Sequence, residues 1–287
     1  MKHVLLATTA LTLSAGFAAA DVSWSGKANA GTSSTNAVST TSSGIDLNVS
    51  ASITTDSGVT VTVADDFGGG SLIDWNDDLA VEDQGSNLDQ PAVSVAMSGV
   101  TITIDPGEVS DLYDDSQTGD VQISTSLAGF SIDYVASSDT DTNTNSYKLG
   151  YAMGDLSISV AGTTRGDAAT ATAAAENEAM KWSATYAMGD ITLGIAMNNN
   201  GDNDDITTGS VSYAMGNGLS VSMSADDNDD WDASVTWKSG AMSVTYSTDE
   251  ASAWEAYGSY SLGGGASVFA STANTNDWSA IGVEFTF

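Results

Sequence analysis

Cysteine is absent, histidine occurs once, at His3, and lysine and arginine together number six against 38 aspartates and glutamates. Each shortage removes a class of function. Without cysteine there is no disulfide, thiol nucleophile or thiolate-held metal, and the single histidine falls in a leading segment that reads as a cleaved signal, so the mature chain has no imidazole for a Ser-His nucleophile or a His zinc site. The chain therefore does not read as an enzyme. A formal charge of −32 would repel DNA and RNA, which excludes nucleic acid as a partner. Prolines number only two, so little interrupts regular backbone. Beyond Ala20 no apolar run approaches the roughly 18 residues of a membrane helix, so a membrane-crossing chain of this composition has to be a closed β-barrel.

The one continuous apolar run comes first. Lys2 and His3 precede Val4–Ala20, which ends in Ala18-Ala19-Ala20. This is the layout of a cleaved secretory signal, residues 1–20, with Asp21 as the first mature residue, leaving 21–287 as one β-domain. Export without disulfides places the burden of stability on sheet closure or on size.

What the chain has in quantity is alternation. In Glu178–Met188 the residues Met180, Trp182, Ala184, Tyr186 and Met188 interleave with Lys181, Ser183, Thr185 and Ala187, a period of two that predicts a strand with two different faces. After Gly189-Asp190 the pattern resumes through Ile191, Leu193, Ile195 and Met197, a tight hairpin. Similar pairs meet at Thr55-Asp56-Ser57-Gly58, Ser98-Gly99, Ala128-Gly129, Gly154-Asp155, Gly216-Asn217-Gly218, Ser239-Gly240 and Gly263-Gly264-Gly265. The joints between these turns are long and rich in Asp, Asn, Ser and Thr, as in Ser137–Asn145 and Ala225–Asp230. Short turns on one rim and long acidic loops on the other predict an all-β transmembrane antiparallel up-and-down β-barrel, with the short turns toward the periplasm. The turns imply 18 strands, with 16 close behind, and Asp65–Gln90 is a longer polar piece whose fold the pattern leaves open.

One face of these strands carries Trp, Tyr, Met, Leu, Ile and Val; the other carries Ser, Thr, Gly and Ala with scattered charge. A soluble β-sandwich would turn the apolar face inward. The lysines argue for the barrel, because Lys27, Lys148, Lys181 and Lys238 all fall on the polar face. Tyr151, Tyr186, Tyr213 and Tyr260 sit on the apolar face just before short turns, where an interfacial girdle belongs.

In Ala280–Phe287 the apolar Ile281, Val283, Phe285 and Phe287 share one face. With this terminal strand, Tyr260–Val268 and Thr54–Gly58, the chain resembles the general diffusion porins of Gram-negative outer membranes, especially the alphaproteobacterial type. The resemblance implies a water-filled channel for passive diffusion of ions and small hydrophilic solutes, an outer-membrane location among lipid and lipopolysaccharide, and a homotrimer. It also makes Phe287 the assembly signal. In that family the third outer loop folds inward and narrows the lumen, and Ser110-Asp111-Leu112-Tyr113 looks like its segment here. Asp105, Glu108, Asp111, Asp114 and Asp115 would then form an acidic constriction, with Lys27, Lys148 and Lys181 as the pore-lining basic residues. Carboxylates in a narrow lumen concentrate cations. Family members commonly set arginines across from the loop, whereas Ser42–Ile53 has none and the only arginine is Arg165. A weak preference for cations is the expectation.

No cofactor is expected. The acidic run Asp226, Asp227, Asp229 and Asp230 offers oxygens that could hold calcium loosely, but it lacks the glycine and terminal glutamate of a helical calcium loop, and a solvated loop tip is the plainer reading. Two rival functions share the export signal and acidity: a non-channel surface or adhesive β-protein, and a translocator barrel. Repeat architecture is disfavoured because Tyr-Ala-Met-Gly begins at 151, 186 and 213, at unequal intervals.

Overall fold

A computed structural model describes residues 20–85, 90–113, 117–137, 145–164, 180–199 and 205–287. The predicted signal lies almost wholly outside these residues. The strands in chain order are β1 (Asp21–Thr35), β2 (Val38–Thr54), β3 (Thr60–Asp74), β4 (Ala80–Asp83), β5 (Ala92–Met97), β6 (Val100–Ser110), β7 (Thr118–Leu127), β8 (Phe130–Ala136), β9 (Asn145–Met153) and β10 (Leu156–Thr164). They continue as β11 (Met180–Met188), β12 (Ile191–Asn199), β13 (Ile206–Met215), β14 (Leu219–Asp226), β15 (Trp231–Ser239), β16 (Met242–Asp249), β17 (Trp254–Gly263), β18 (Ala266–Ala273) and β19 (Ser279–Thr286).

Each strand pairs antiparallel with its sequence neighbour, except that β3 pairs with both β4 and β5. β19 returns to β1, from Lys27 opposite Thr286 to Ser34 opposite Ser279, so the sheet closes and has no free edge. Setting β4 aside, the closed ring has 18 strands, the higher of the two predicted numbers.

Closure settles which face is which. Ile281, Trp24, Leu127 and Met153 point outward and stay 66%, 59%, 74% and 59% exposed, and many other large apolar side chains of the wall stand beside them. A soluble protein does not leave a continuous apolar belt bare, whereas a barrel sets such a belt against hydrocarbon. Tyr186, Tyr213 and Tyr260 lie in this outward set near the short turns, as the girdle reading requires. The turns suit their sequences: Ser98-Gly99 and Ala128-Gly129 have positive φ at both positions (50° and 84°, 53° and 88°), the twist that joins two adjacent strands with two residues.

Two regions go beyond what the sequence pattern gives. β1 and β2 stay paired as far as Thr35 opposite Val38, and the turn between them is Asn36-Ala37, both with positive φ, so this joint on the long-loop rim is a tight turn. The polar piece starting at Asp65 is also largely ordered as strand: β3 stays paired with β2 as far as Gly70 opposite Gly44. It then leaves the wall, and Ser71–Asp74 pairs with β4 instead. A Cβ on Gly44 would stand 2.6 Å from the Ser71 carbonyl carbon; only a glycine lets β3 cross the inner face of β2 this closely. The hairpin of Ser71–Asp83 thus folds into the barrel.

Candidate functional site

The lumen is lined by the residues that alternate with the outward belt. On β1 these include Lys27, opposite Asp46 of β2; on β9, Lys148 lies opposite Asp133 of β8. Opposite charges directly across a ladder attract, so each of these predicted lining cations faces a carboxylate on its neighbouring strand. Lys181 on β11 faces inward between Ala161 and Asn198. The inward face also carries Asp66, Asp232, Glu255 and Glu284.

The segment after Ile104 begins as strand. β6 and β7 lose register between Ile104 and Val109, and the bulge turns the chain inward. Asp105 lies there on the polar face; its Oδ1 is buried and has no hydrogen-bond partner among the described residues. Glu108 is exposed, whereas Val109 and Asp111 are buried. Asp111 Oδ1 accepts the Tyr113 N–H at 2.7 Å, and the Leu112 N–H donates to Ser146 Oγ on β9 at 2.9 Å. Tyr113 reaches farthest: its hydroxyl donates to Asn198 Oδ1 on β12 at 2.7 Å, and Lys181 Nζ donates to its carbonyl at 2.6 Å. The ammonium also lies 5.3 Å from the tyrosine ring centroid, within cation–π range. Ser110–Tyr113 therefore crosses the inner faces of β7 and β8. Asp114 and Asp115 lie outside the described residues, as does Arg165.

The Ser71–Asp83 hairpin occupies the other side of the ring. Asn29, near the middle of β1, donates through Nδ2 to the Ile73 carbonyl and accepts the Ile73 N–H, both at 2.9 Å. One side chain here imitates a strand partner. Trp75 stacks on Phe269 of β18, with ring centroids 5.2 Å apart, and meets Tyr257 of β17 edge-on at 6.1 Å. Its indole N–H donates to Glu284 of β19 at 3.2 Å. Ile73, Trp75, Phe269, Ala273, Trp278 and Ala280 form a buried apolar cluster inside the barrel. Sequence reasoning missed Asn29, Trp75 and Glu284. The signal was available in Leu72-Ile73-Asp74-Trp75, an apolar group too large for a solvated loop.

In the predicted calcium run, Asp226 Oδ1 accepts the N–H groups of Asn228 and Asp230, and Asp227 Oδ1 accepts that of Thr207. These oxygens hold the β14–β15 turn together. Neighbouring negative charge, first that of Asp226 and then Glu250, raises the pKa of Asp230; Asp229 is exposed. Among the described residues the carboxylates that converge closely enough for one ion are instead Asp74, Asp78 and Glu82. Phe287 faces outward, its ring stacked on that of Phe285 with centroids 5.5 Å apart, and its main chain exchanges two hydrogen bonds with Gly26 of β1, at 3.0 and 3.1 Å.

A closed ring with an apolar outside, a charged inside and segments turned into its lumen has the architecture of an outer-membrane channel. The sequence profile of the family described as Gram-negative porin matches residues 7–286, and the chain belongs to that family. Solved structures with the same fold include a triple mutant of Rhodopseudomonas blastica porin, at 16% identity and a TM-score of 0.58, covering 93% of this chain and 100% of that one. A double mutant of the same porin gives 17% identity and a TM-score of 0.57 over the same shares. A chain from work on asymmetric conductivity of engineered proteins gives 15% and 0.57, again over 93% of this chain and 100% of that chain. No curated protein matches the sequence. Family and fold together make this a multi-pass protein of the Gram-negative outer membrane and a channel rather than an enzyme.

Proposed function

We propose that the protein is a passive diffusion channel for ions and small hydrophilic solutes, with a weak preference for cations. The observation that carries the preference is the charge balance of the inward face. Asp46, Asp66, Asp133, Asp232, Glu255 and Glu284 share it with Lys27, Lys148, Lys181 and Lys238, and two of those lysines stand directly opposite carboxylates. Lys181 is further engaged by the Tyr113 carbonyl. A surplus of fixed negative charge around confined water raises the local cation concentration. Asp105, Glu108 and Asp111, with Asp114 and Asp115, form the acidic narrowing in this reading. A planar bilayer holding the protein between unequal KCl concentrations at neutral pH tests the preference: the reversal potential should take the sign of potassium selectivity, and a chloride-selective sign would overturn it.

Export through residues 1–20, a homotrimeric assembly, contact with lipopolysaccharide and loose calcium at Asp226–Asp230 belong to the same reading. The assembly is checked by the mass of the detergent-extracted complex, and the export signal by the N-terminus of the mature protein, expected at Asp21.

A further inference from the structure

The hairpin of Ser71–Asp83 is held on three sides. Asn29 pairs with the main chain of Ile73, Glu284 accepts the Trp75 indole N–H, and Phe269 stacks beneath the same indole. Leu72 and Ile73 are 1% exposed and Trp75 8%, which is the burial of a packed core and not of a loop resting on a surface. The wall is shaped for it: a Cβ on Gly282 would stand 2.5 Å from the Phe269 ring, so the glycine lets that ring lie against the wall and receive the indole. The contacts with Asn29 and Glu284 bring the hairpin to about the middle of the wall. Strands β13–β16 separate its docking strands, β17–β19 and β1, from the strands that receive Tyr113, β11 and β12. Between its tip at Asp78-Leu79 and the wall residues Asp232, Asp249 and Glu255 there remains a hollow of about 390 Å³.

We infer that Ser71–Asp83 is a fixed second constriction of the pore, standing across the lumen from Tyr113, and that the passage is set by the distance between the two. Backbone and a tryptophan-centred core in the lumen displace water that would otherwise carry current, and a segment anchored by buried apolar contacts does not swing aside as a lid would. All charges on the hairpin, Asp74, Asp77, Asp78, Glu82 and Asp83, are negative, so removing it widens the passage and also weakens its attraction for cations.

The inference rests on the channel reading, and single-channel recording in planar bilayers tests the two separately. Absence of any conductance from the intact protein defeats the channel reading. If the intact protein conducts, a variant with Ser71–Gln84 replaced by a short glycine-containing turn should conduct about twofold more or better and should admit larger sugars in liposome swelling. Unchanged conductance and an unchanged sugar cutoff overturn the second constriction. Should the shortened chain fail to fold, the double variant Asn29→Ala/Trp75→Ala keeps full length and loosens the docking. It should show current steps between the wild-type level and a higher one, and a steady wild-type current overturns the inference.

Discussion

Two segments enter the same lumen from the same rim, and different forces hold them. Ser110–Tyr113 is fastened by hydrogen bonds at its far end, Tyr113 to Asn198 and Lys181 to Tyr113, in an environment that water reaches. Ser71–Asp83 brings its own apolar core, Ile73 and Trp75 against Phe269, Ala273 and Trp278. Hydrogen bonds exchanged with water add only about 1 kcal/mol each, whereas burying an aromatic ring contributes several times that. The hairpin should therefore be the rigid side of the pore and the Tyr113 side the adjustable one.

Trp75→Ala bears hardest on this contrast. Removing a buried tryptophan costs about 3–5 kcal/mol where the site cannot collapse, and the loss should fall on the hairpin rather than on the closed ring. Limited proteolysis should cut near Gly70 while the heat-modifiable migration of the barrel persists; resistance equal to wild type would mean the indole is not the anchor. Asn29→Ala comes next. It leaves the N–H and carbonyl of Ile73 without their partner, at about 1–3 kcal/mol for each group left buried and unpaired, and hydrogen exchange at Ile73 should accelerate while the β1–β2 ladder stays protected.

Lys181→Met touches the other side. It removes the donor to the Tyr113 carbonyl and the cation over the ring, a change of about 1–3 kcal/mol. Open-channel current noise should rise with little change in mean conductance, and noise as low as in wild type would show that the Lys181 contact does not steady Tyr113. The smallest effect belongs to the exposed β14–β15 turn, which has no part in either anchor. The raised pKa of Asp230 comes first from Asp226, so its charged form is the disfavoured one in the folded turn. Ionisation at higher pH works against the turn, and relief arrives as pH falls through the raised value. Asp226→Asn keeps the Oδ1 acceptor and removes the charge; carboxyl NMR should find Asp230 titrating nearer the ordinary range, and an unmoved titration would place the cause elsewhere.

Most of the wall was legible because a barrel strand writes its two solvents into alternate residues. Met180, Trp182 and Tyr186 against Lys181, Ser183 and Thr185 give both the strand and its orientation, and Gly-containing pairs mark the short rim. The hairpin was hidden for the opposite reason. Its entry, Asp65-Asp66-Phe67-Gly68-Gly69-Gly70, alternates poorly because the chain there changes from lipid-facing wall to lumen-facing backbone, and the two periodic environments no longer apply. Trp75 and Trp278 break the rule that aromatics face outward, since each packs against inward-facing partners that only the three-dimensional ring brings together. Asn29, a polar residue on a polar face, carries no mark of its partnership with Ile73. The reach of Tyr113 to β12 is equally silent, because 85 residues separate it from Asn198.

The pairing of Gly26 with Phe287 bears on how the molecule comes into being. Every other wall contact can form between stretches made close together in time, but this seam joins the earliest strand to the latest. Until β19 arrives, β1 presents an unzipped row of amides and carbonyls that any stray ribbon could seize. A chaperone or insertion machine that shields this one border, and lets go only when the final strand docks, would protect the whole cylinder during its birth.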